Sequence, residues 1–593
     1  LGLIVNYGFL QNSFQAIENF RETEFTRDWN LESIYPQSNE NLINGNLFFV
    51  NKKHGSSNIG TSLINRGNEY SGIQNHASAN YRFGTWKING KASLLKSETS
   101  LYQTNFFRHN ALISKTLGIF EFGITELSER NIWTSQTSDS ITLNSFNFNQ
   151  FEGYISSADS SKNNFFINYK YRDDDLPSNN KLINSTIAQD FGIGTNLISN
   201  SNSRFTAVLN YRKLQVLDTS LYEGNSENNM TGKAEYTFRL LKGVITSTSL
   251  YEIGSGLERK TEFSYIEVAP GQGVFAWTDY NDNGIQELDE FEIANFIDQA
   301  NFIRVLIPTT EYIKTYTNQF NQSLKISPDV IWRSKTGVKK LVSRFSNQFA
   351  YRISQKNSSS DILEYANPFN SGIDETQLVN LNSSFRNSFS FNRGKPGFGI
   401  DYILQSNNSK ILLVSGFDTR TNFNHNFLVR YNIGKVVSIR NNSSMGDKLY
   451  KSEFFSNKDY QIESLTNESQ LSIQPNLNNR LTLMYEYETK ENIGGGEILD
   501  SHNAGFEYRL SSVTKGALSA TFNYIYYSYN SATNTPIAYE MLQGFMPGSN
   551  LTWSINFQRQ LANGLQINLN YNARKSEDTE IIHTGGVQLR AFF

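Results

Sequence analysis

Cysteine is absent from the 593 residues, which excludes disulfides and thiolate-held metals. No run of about 18 apolar residues occurs, so no transmembrane helix is encoded. Only 10 prolines are present, few enough to leave long strands unbroken. Histidine is scarce as well: His54, His76, His109, His425, His502 and His583 are scattered singly. No Ser/His/Asp spacing or glycine-rich phosphate loop stands out, so we expect no enzyme. Charge is nearly balanced at −3, with a pI near 6.2, which argues against a nucleic-acid partner. No signal peptide precedes Leu1, and we read the chain as a mature or truncated product of a longer precursor.

What is abundant is aromatic and alternating. Aromatics make up 13%, with 31 Tyr and 43 Phe, as interfacial girdles require. A hydrophobic fraction of 38% and a mean hydropathy of −0.47 would suit a soluble protein. They equally suit a membrane barrel, in which only every second residue meets lipid. Leu551, Trp553, Ile555 and Phe557 alternate with Thr552, Ser554 and Asn556. After a tight turn, Leu561 to Gly564, Leu565, Ile567, Leu569 and Tyr571 alternate with Gln566, Asn568, Asn570 and Asn572. Successive strand side chains point to opposite faces, so each run has one apolar and one polar side. The same pattern recurs at 77–83, 165–172, 205–211, 423–433 and 481–490. Counting such runs predicts an all-β, transmembrane antiparallel β-barrel of about 26 strands, between about 24 and 28. A soluble sandwich also alternates, but it stops at about 7 to 9 strands per domain and needs linkers between domains.

Residues 1–40 fall outside this pattern, and the barrel is expected over 41–593. Phe14, Ile17 and Phe20 are spaced for about two turns of helix. The segment is either tucked into the lumen, joined to an upstream domain, or a linker. Tight connections (Gly394 to Gly397, Ile433 to Lys435, Leu561 to Gly564) alternate with long ones (Ser354 to Thr376, Gly446 to Lys458, Glu491 to Ser501, Tyr529 to Ala538). Short periplasmic turns and long surface loops give that asymmetry. The phase of the alternation slips by one strand between the two halves, which implies a miscount near 268–315 or a strand before residue 44.

An insert at 270–310 holds the strongest local motif. Asp279-Tyr-Asn-Asp-Asn-Gly-Ile-Gln-Glu-Leu-Asp-Glu290 fits D-x-[DN]-x-[DN]-G-x5-E. Calcium takes about six to eight oxygens, here from Asp279, Asn281, Asn283, the Ile285 carbonyl, Glu287 and Glu290, with Gly284 permitting the turn. The alternative is an acidic Asn-Gly turn that binds nothing. The following stretch, Phe291 to Val305, is partly helical in period. Asp173, Asp174 and Asp175 read as a solvated loop cluster.

Two resemblances follow from these residues. The final strand, Gly585-Gly-Val-Gln-Leu-Arg-Ala-Phe-Phe593, resembles the recognition signal of bacterial outer-membrane barrels. The stretches 279–287 and 298–305, Asp-Tyr-Asn-Asp-Asn-Gly-Ile-Gln-Glu and Asp-Gln-Ala-Asn-Phe-Ile-Arg-Val, look like a signature of large outer-membrane barrel proteins from Bacteroidota. That resemblance implies a calcium-stabilised insert in an outer-membrane protein that belongs to a larger assembly. It supplies no catalytic residue.

A lumen this wide needs a plug: the 1–40 segment, the insert, an upstream domain or a partner. Its Asn-, Ser- and Thr-rich face suits a wet, weakly selective interior. We therefore expect a conduit or scaffold subunit of an outer-membrane translocation or assembly machine, set in lipid beside other outer-membrane or periplasmic subunits. A TonB-dependent-like nutrient-uptake barrel with its plug upstream of Leu1, or a structural anchor for surface components, is the alternative.

Overall fold

The structure, a computed structural model, describes residues 1–14, 21–31, 38–158, 162–359, 361–369, 378–413, 416–453, 455–512, 516–561 and 564–591. Among them are 28 strands, two of which, Phe275–Trp277 and Phe291–Ile293, are three residues long. The other 26 (28 less these two) run from 9 residues, at Gly2–Leu10, to 25, at Phe302–Ile326. A strand of about 9 to 11 residues spans a bilayer. The described pairings are antiparallel and join neighbouring long strands from Gly2–Leu10 to Ser203–Val216, and again from Ile245–Glu267 to Ile582–Ala591. This is the all-β, up-and-down arrangement of outer-membrane barrels, with the strand number expected from the alternation.

The chain divides into two compact units, Leu1–Glu235 and Tyr236–Phe593. In the first unit, Gly2–Leu10 pairs antiparallel with Glu40–Asn51. The expectation of a wholly non-barrel 1–40 is corrected to that extent: Leu3, Val5, Tyr7 and Phe9 alternate as strand residues do. The helix spacing at Phe14, Ile17 and Phe20 falls largely outside the described residues. In Gly55–Arg66 the faces separate cleanly, with Ser62, Ile64 and Arg66 buried and Ile59 and Leu63 exposed. The segment before Glu40 covers the buried face. A short helix, Phe25–Asp28, delivers Trp29 into a cluster with Ile64, Tyr70, Leu95 and Phe106. Asn30 then bonds Thr104 at 2.9 Å and Asn131 at 2.9 Å. Beneath it Arg66 and Glu40 form an ion pair at 2.8 Å, both almost fully buried, and Arg21 adds a second cation to the same carboxylate.

In the second unit, Ile245–Glu267 pairs with Phe302–Ile326, so residues 268–301 simply join neighbouring strands. The insert is therefore shorter than expected, because 302–310 belong to the returning strand. Pro308 has no N–H to give the ladder, and the register shifts beside it, between Arg259 and Thr261. In an antiparallel meander alternate connections share an end. The insert, 358–377, 453–459, 493–497, 530–547 and 576–581 lie at one; 327–344, 392–397, 434–436 and 474–478 lie at the other. The longest connections lie at the first end apart from 327–344 with its two short helices, while 493–497 and 576–581 there are no longer than 392–397 at the other. No phase slip remains in this unit. Of the last hairpin turn, residues 562–563 lie outside the described residues, but Leu561 opposite Leu565 keeps the expected register. Phe593 lies outside them as well.

Candidate functional site

The insert holds itself together through aromatics. Phe275–Trp277 and Phe291–Ile293 form a miniature hairpin, and Phe291 stacks on Tyr265 of the wall at 4.0 Å and meets Phe302 edge-on at 5.0 Å. Such pairs add about 0.5–1.5 kcal/mol each beyond burial. The helical period expected over Phe291–Val305 is not realised. Phe291 serves the insert core, Phe296 docks on Phe545 at 4.9 Å, and Phe302 already belongs to the returning strand, so three separate contacts produce the spacing.

The oxygen-rich loop lies between the two short strands. Asp282 and Gly284 take positive φ, 57° and 71°, which Asp tolerates and Gly adopts without cost. Asp279 accepts from the Asn283 N–H (3.2 Å) and the Gly284 N–H (2.7 Å), and Asn283 Oδ1 accepts from the Ile285 N–H (2.6 Å). Asn281 Nδ2 donates to Glu287 at 2.7 Å. Asp279, Asn281, Asn283, Ile285 and Glu287 therefore share one tight loop whose oxygens are of the type calcium takes. Glu290 has a different employment. Its carboxylate, 2% exposed, accepts from Trp277 Nε1 at 2.7 Å, the Tyr280 N–H at 3.2 Å and the Glu287 N–H at 3.3 Å. It clamps both ends of the loop through N–H donors, and among the described residues no three Asp, Glu or His side chains gather as a metal cluster. The structure thus brings the expected oxygen-bearing residues into one loop, with Glu290 bonded to both of its ends.

Side chains from a later connection, a helix and a later strand of the same unit hold the insert. Asn457 donates to Asp289 at 2.8 Å. Lys458 pairs with Glu292 at 2.8 Å and donates to the Phe291 carbonyl at 3.0 Å. Arg574 reaches Asp298 at 2.5 Å while lying over the Phe296 ring at 4.0 Å. Tyr539 accepts from the Asn295 N–H and donates to the Ile293 carbonyl, each at 3.3 Å. Burial holds the Glu292 carboxyl above the ordinary carboxylate range, against the opposing pull of Lys458. Tyr539 comes from a helix, Pro536–Leu542, whose start is set by Pro536 and by the Thr535 hydroxyl accepting from the Ala538 N–H at 3.2 Å. Its buried face, Ala538, Met541 and Leu542, packs on Ile462, Leu499, Ile525 and Tyr527 of the strands.

Between insert, helix and wall lies a cavity of about 480 Å³. Its aromatic lining includes Tyr265, Phe291, Tyr450 and Tyr460, and it carries four cationic side chains against three carboxylates. Lys458 is paired with Glu292, and Lys448 with Glu540. Arg304 and Arg420 have no carboxylate within ion-pair distance among the described residues. Arg304 lies over Phe263 (5.7 Å) and Phe275 (5.6 Å), and Arg420 over Tyr450 (5.0 Å). Linear spacing gave no sign of this site, because Arg304 and Arg420 are ordinary alternating strand residues far apart in the chain.

Asp173, Asp174 and Asp175 are not a loop. They lie within the strand Asn163–Ser178, where Arg172 pairs with Asp174 at 2.6 Å, and Asn149 and Asn147 donate to Asp173 (3.0 Å) and Asp175 (2.6 Å).

No family model matches the chain, and no curated protein does. Among solved structures, the chain is similar to the ferric preacinetobactin receptor BauA of Acinetobacter baumannii, with 8% identity and a TM-score of 0.30 over 92% of this chain and 80% of that one. The ferric-catecholate import receptor Fiu of E. coli K12 gives 8% and 0.27 over 88% and 77%. OmpF of Salmonella typhi gives 8% and 0.25 over 71% and 98%. At these TM-scores the likenesses carry no weight beyond themselves.

Proposed function

We propose that the chain is a non-catalytic outer-membrane barrel whose insert closes the passage along its second unit, and that it serves as the conduit or scaffold subunit of a larger outer-membrane transport machine. One observation carries this reading: an insert carried between two early strands of the unit is bonded to a later connection, at Asn457 and Lys458, and to a later strand, at Arg574. A surface ornament needs no such reach. The contacts are a few ion pairs and hydrogen bonds with small aromatic patches, weak enough individually for a substrate or partner to displace. The mixed-charge, amide-rich lining favours a bulky, hydrated cargo over a selected ion. Calcium in the 279–287 loop, supported by the oxygen set, would stiffen the insert. The outer-membrane proteins of Bacteroidota that the insert resembles are the setting we infer.

Conductance of the purified chain in planar bilayers tests the reading. The intact protein should conduct little, and deletion of 270–300 should open it. A deletion variant that folds, as judged by heat-modifiable gel mobility, yet conducts no more than the intact chain would refute the gate. Co-purification from mild detergent tests the machine: a defined set of companions is expected, and a solitary protein overturns that part.

A further inference from the structure

We propose that the cavity between the insert and the wall binds a small organic carboxylate with a flat, apolar body. The assignment rests on the docked insert of the proposed function, since that insert supplies one side of the cavity. Three features of the cavity point the same way.

The first is charge. Two lysines are neutralised by Glu292 and Glu540, whereas Arg304 and Arg420 face the space with no carboxylate in ion-pair reach among the described residues. Asp418, the third carboxylate, is engaged by the Tyr450 hydroxyl at 3.4 Å. The cavity is left wanting one negative charge. Both arginines reach solvent as well as the cavity, so an incoming anion meets them without first breaking an ion pair.

The second is shape of the donors. A guanidinium presents a planar fork that matches a carboxylate in bidentate fashion. Both forks are laid against aromatic rings, Arg304 on Phe263 and Phe275, Arg420 on Tyr450. Cation–π attraction favours these positions before any ligand arrives.

The third is size and lining. A space of about 480 Å³ falls within the roughly 300–1,000 Å³ typical of small-molecule sites. Tyr265, Phe291, Tyr450 and Tyr460 give it an aromatic lining that suits a flat, apolar body. A bare inorganic anion would leave those faces unused, and a neutral aromatic would leave the guanidiniums unmet.

Isothermal titration of the detergent-purified full chain with four probes provides the test: phenylacetate, phenylphosphate, 2-phenylethanol and inorganic phosphate. Phenylacetate should bind, with 2-phenylethanol weaker by about tenfold or more. Arg420→Gln and Arg304→Gln should each weaken phenylacetate by about tenfold. Arg420→Lys should lose most of that affinity too, because charge remains but the fork is gone. Preference for phenylphosphate would overturn the carboxylate assignment. Equal binding of 2-phenylethanol, unchanged affinity in both Gln variants, or no binding of any probe would overturn the site. Failure of the docked insert is read separately. In the cysteine-free chain, the pair Asp289→Cys and Asn457→Cys should be bridged by a short bis-maleimide. Bridging without phenylacetate binding condemns the anion site alone, whereas absence of bridging condemns the gate on which it rests.

Discussion

At the scale of single residues, Asp279 and Glu290 look alike in the motif and differ in the structure. Asp279 wraps the loop through the Asn283 and Gly284 N–H groups and keeps its place beside the other oxygens. Glu290 spends its carboxylate on Trp277 and two backbone donors. Their substitutions should therefore separate. Asp279→Ala should abolish any protection that calcium gives residues 268–301 against limited proteolysis. Glu290→Ala should expose the insert with calcium or without it, since a buried indole N–H and two backbone N–H groups lose their acceptor, at about 1–3 kcal/mol each. If calcium protects neither the parent chain nor Glu290→Ala, the loop is an Asn-Gly turn and no metal site. The spacing of the motif was legible in the sequence. The diversion of its last carboxylate was not, because Trp277 enters only when the two short strands pair.

Elements carry the next level of consequence. Pro536–Leu542 connects the wall to the insert: Ala538, Met541 and Leu542 grip the strands, and Tyr539 reaches out to Ile293 and Asn295. Its N-cap, Thr535, is the point at which it can be weakened without touching either contact. Thr535→Ala should cost the helix about 1 kcal/mol and raise the rate at which Cys pairs at 289 and 457 separate, while the strands keep their stability. Proteolysis in the connection 530–547, followed with time, would report it. In sequence this helix was a long polar connection, Tyr529 to Ala538, because seven helical residues hold too few periods to stand out. The hairpins were legible for the converse reason. Alternation over 12 or more residues, as in Tyr70–Phe83 or Gly416–Ile433, has no other economical explanation.

Across the whole molecule, the outward faces decide where it resides. Ile59, Ile113, Ile124 and Leu63 in one unit, and Phe423, Phe427, Tyr431 and Leu483 in the other, are all exposed on strands. Hydrocarbon is the solvent that suits such faces, and only closed helices or antiparallel strand walls satisfy their backbone within it. On that ground these strand faces are suited to lipid. Phe427 is 44% exposed and lies well inside Gly416–Ile433. Phe427→Arg should lower stability in vesicles by about 2–4 kcal/mol. Asn426→Arg, on the opposite face, should cost far less. Urea titration of both variants after refolding into lipid vesicles makes the comparison, and equal penalties would mean that Phe427 does not meet lipid.

Period-two alternation determined the class of fold and the number of long strands, because each strand reports its own two environments to its own residues. Local turn chemistry likewise marked the loop at Asp279–Glu287. Tertiary structure alone decided what those strands surround. Gly2–Leu10 became a strand through pairing with Glu40–Asn51. The insert found Lys458 and Arg574 more than a hundred residues away. Arg304 and Arg420 came to share one cavity. Contacts of that span leave no period in the chain, since each depends on the closure of many intervening hairpins rather than on the neighbours of any one residue.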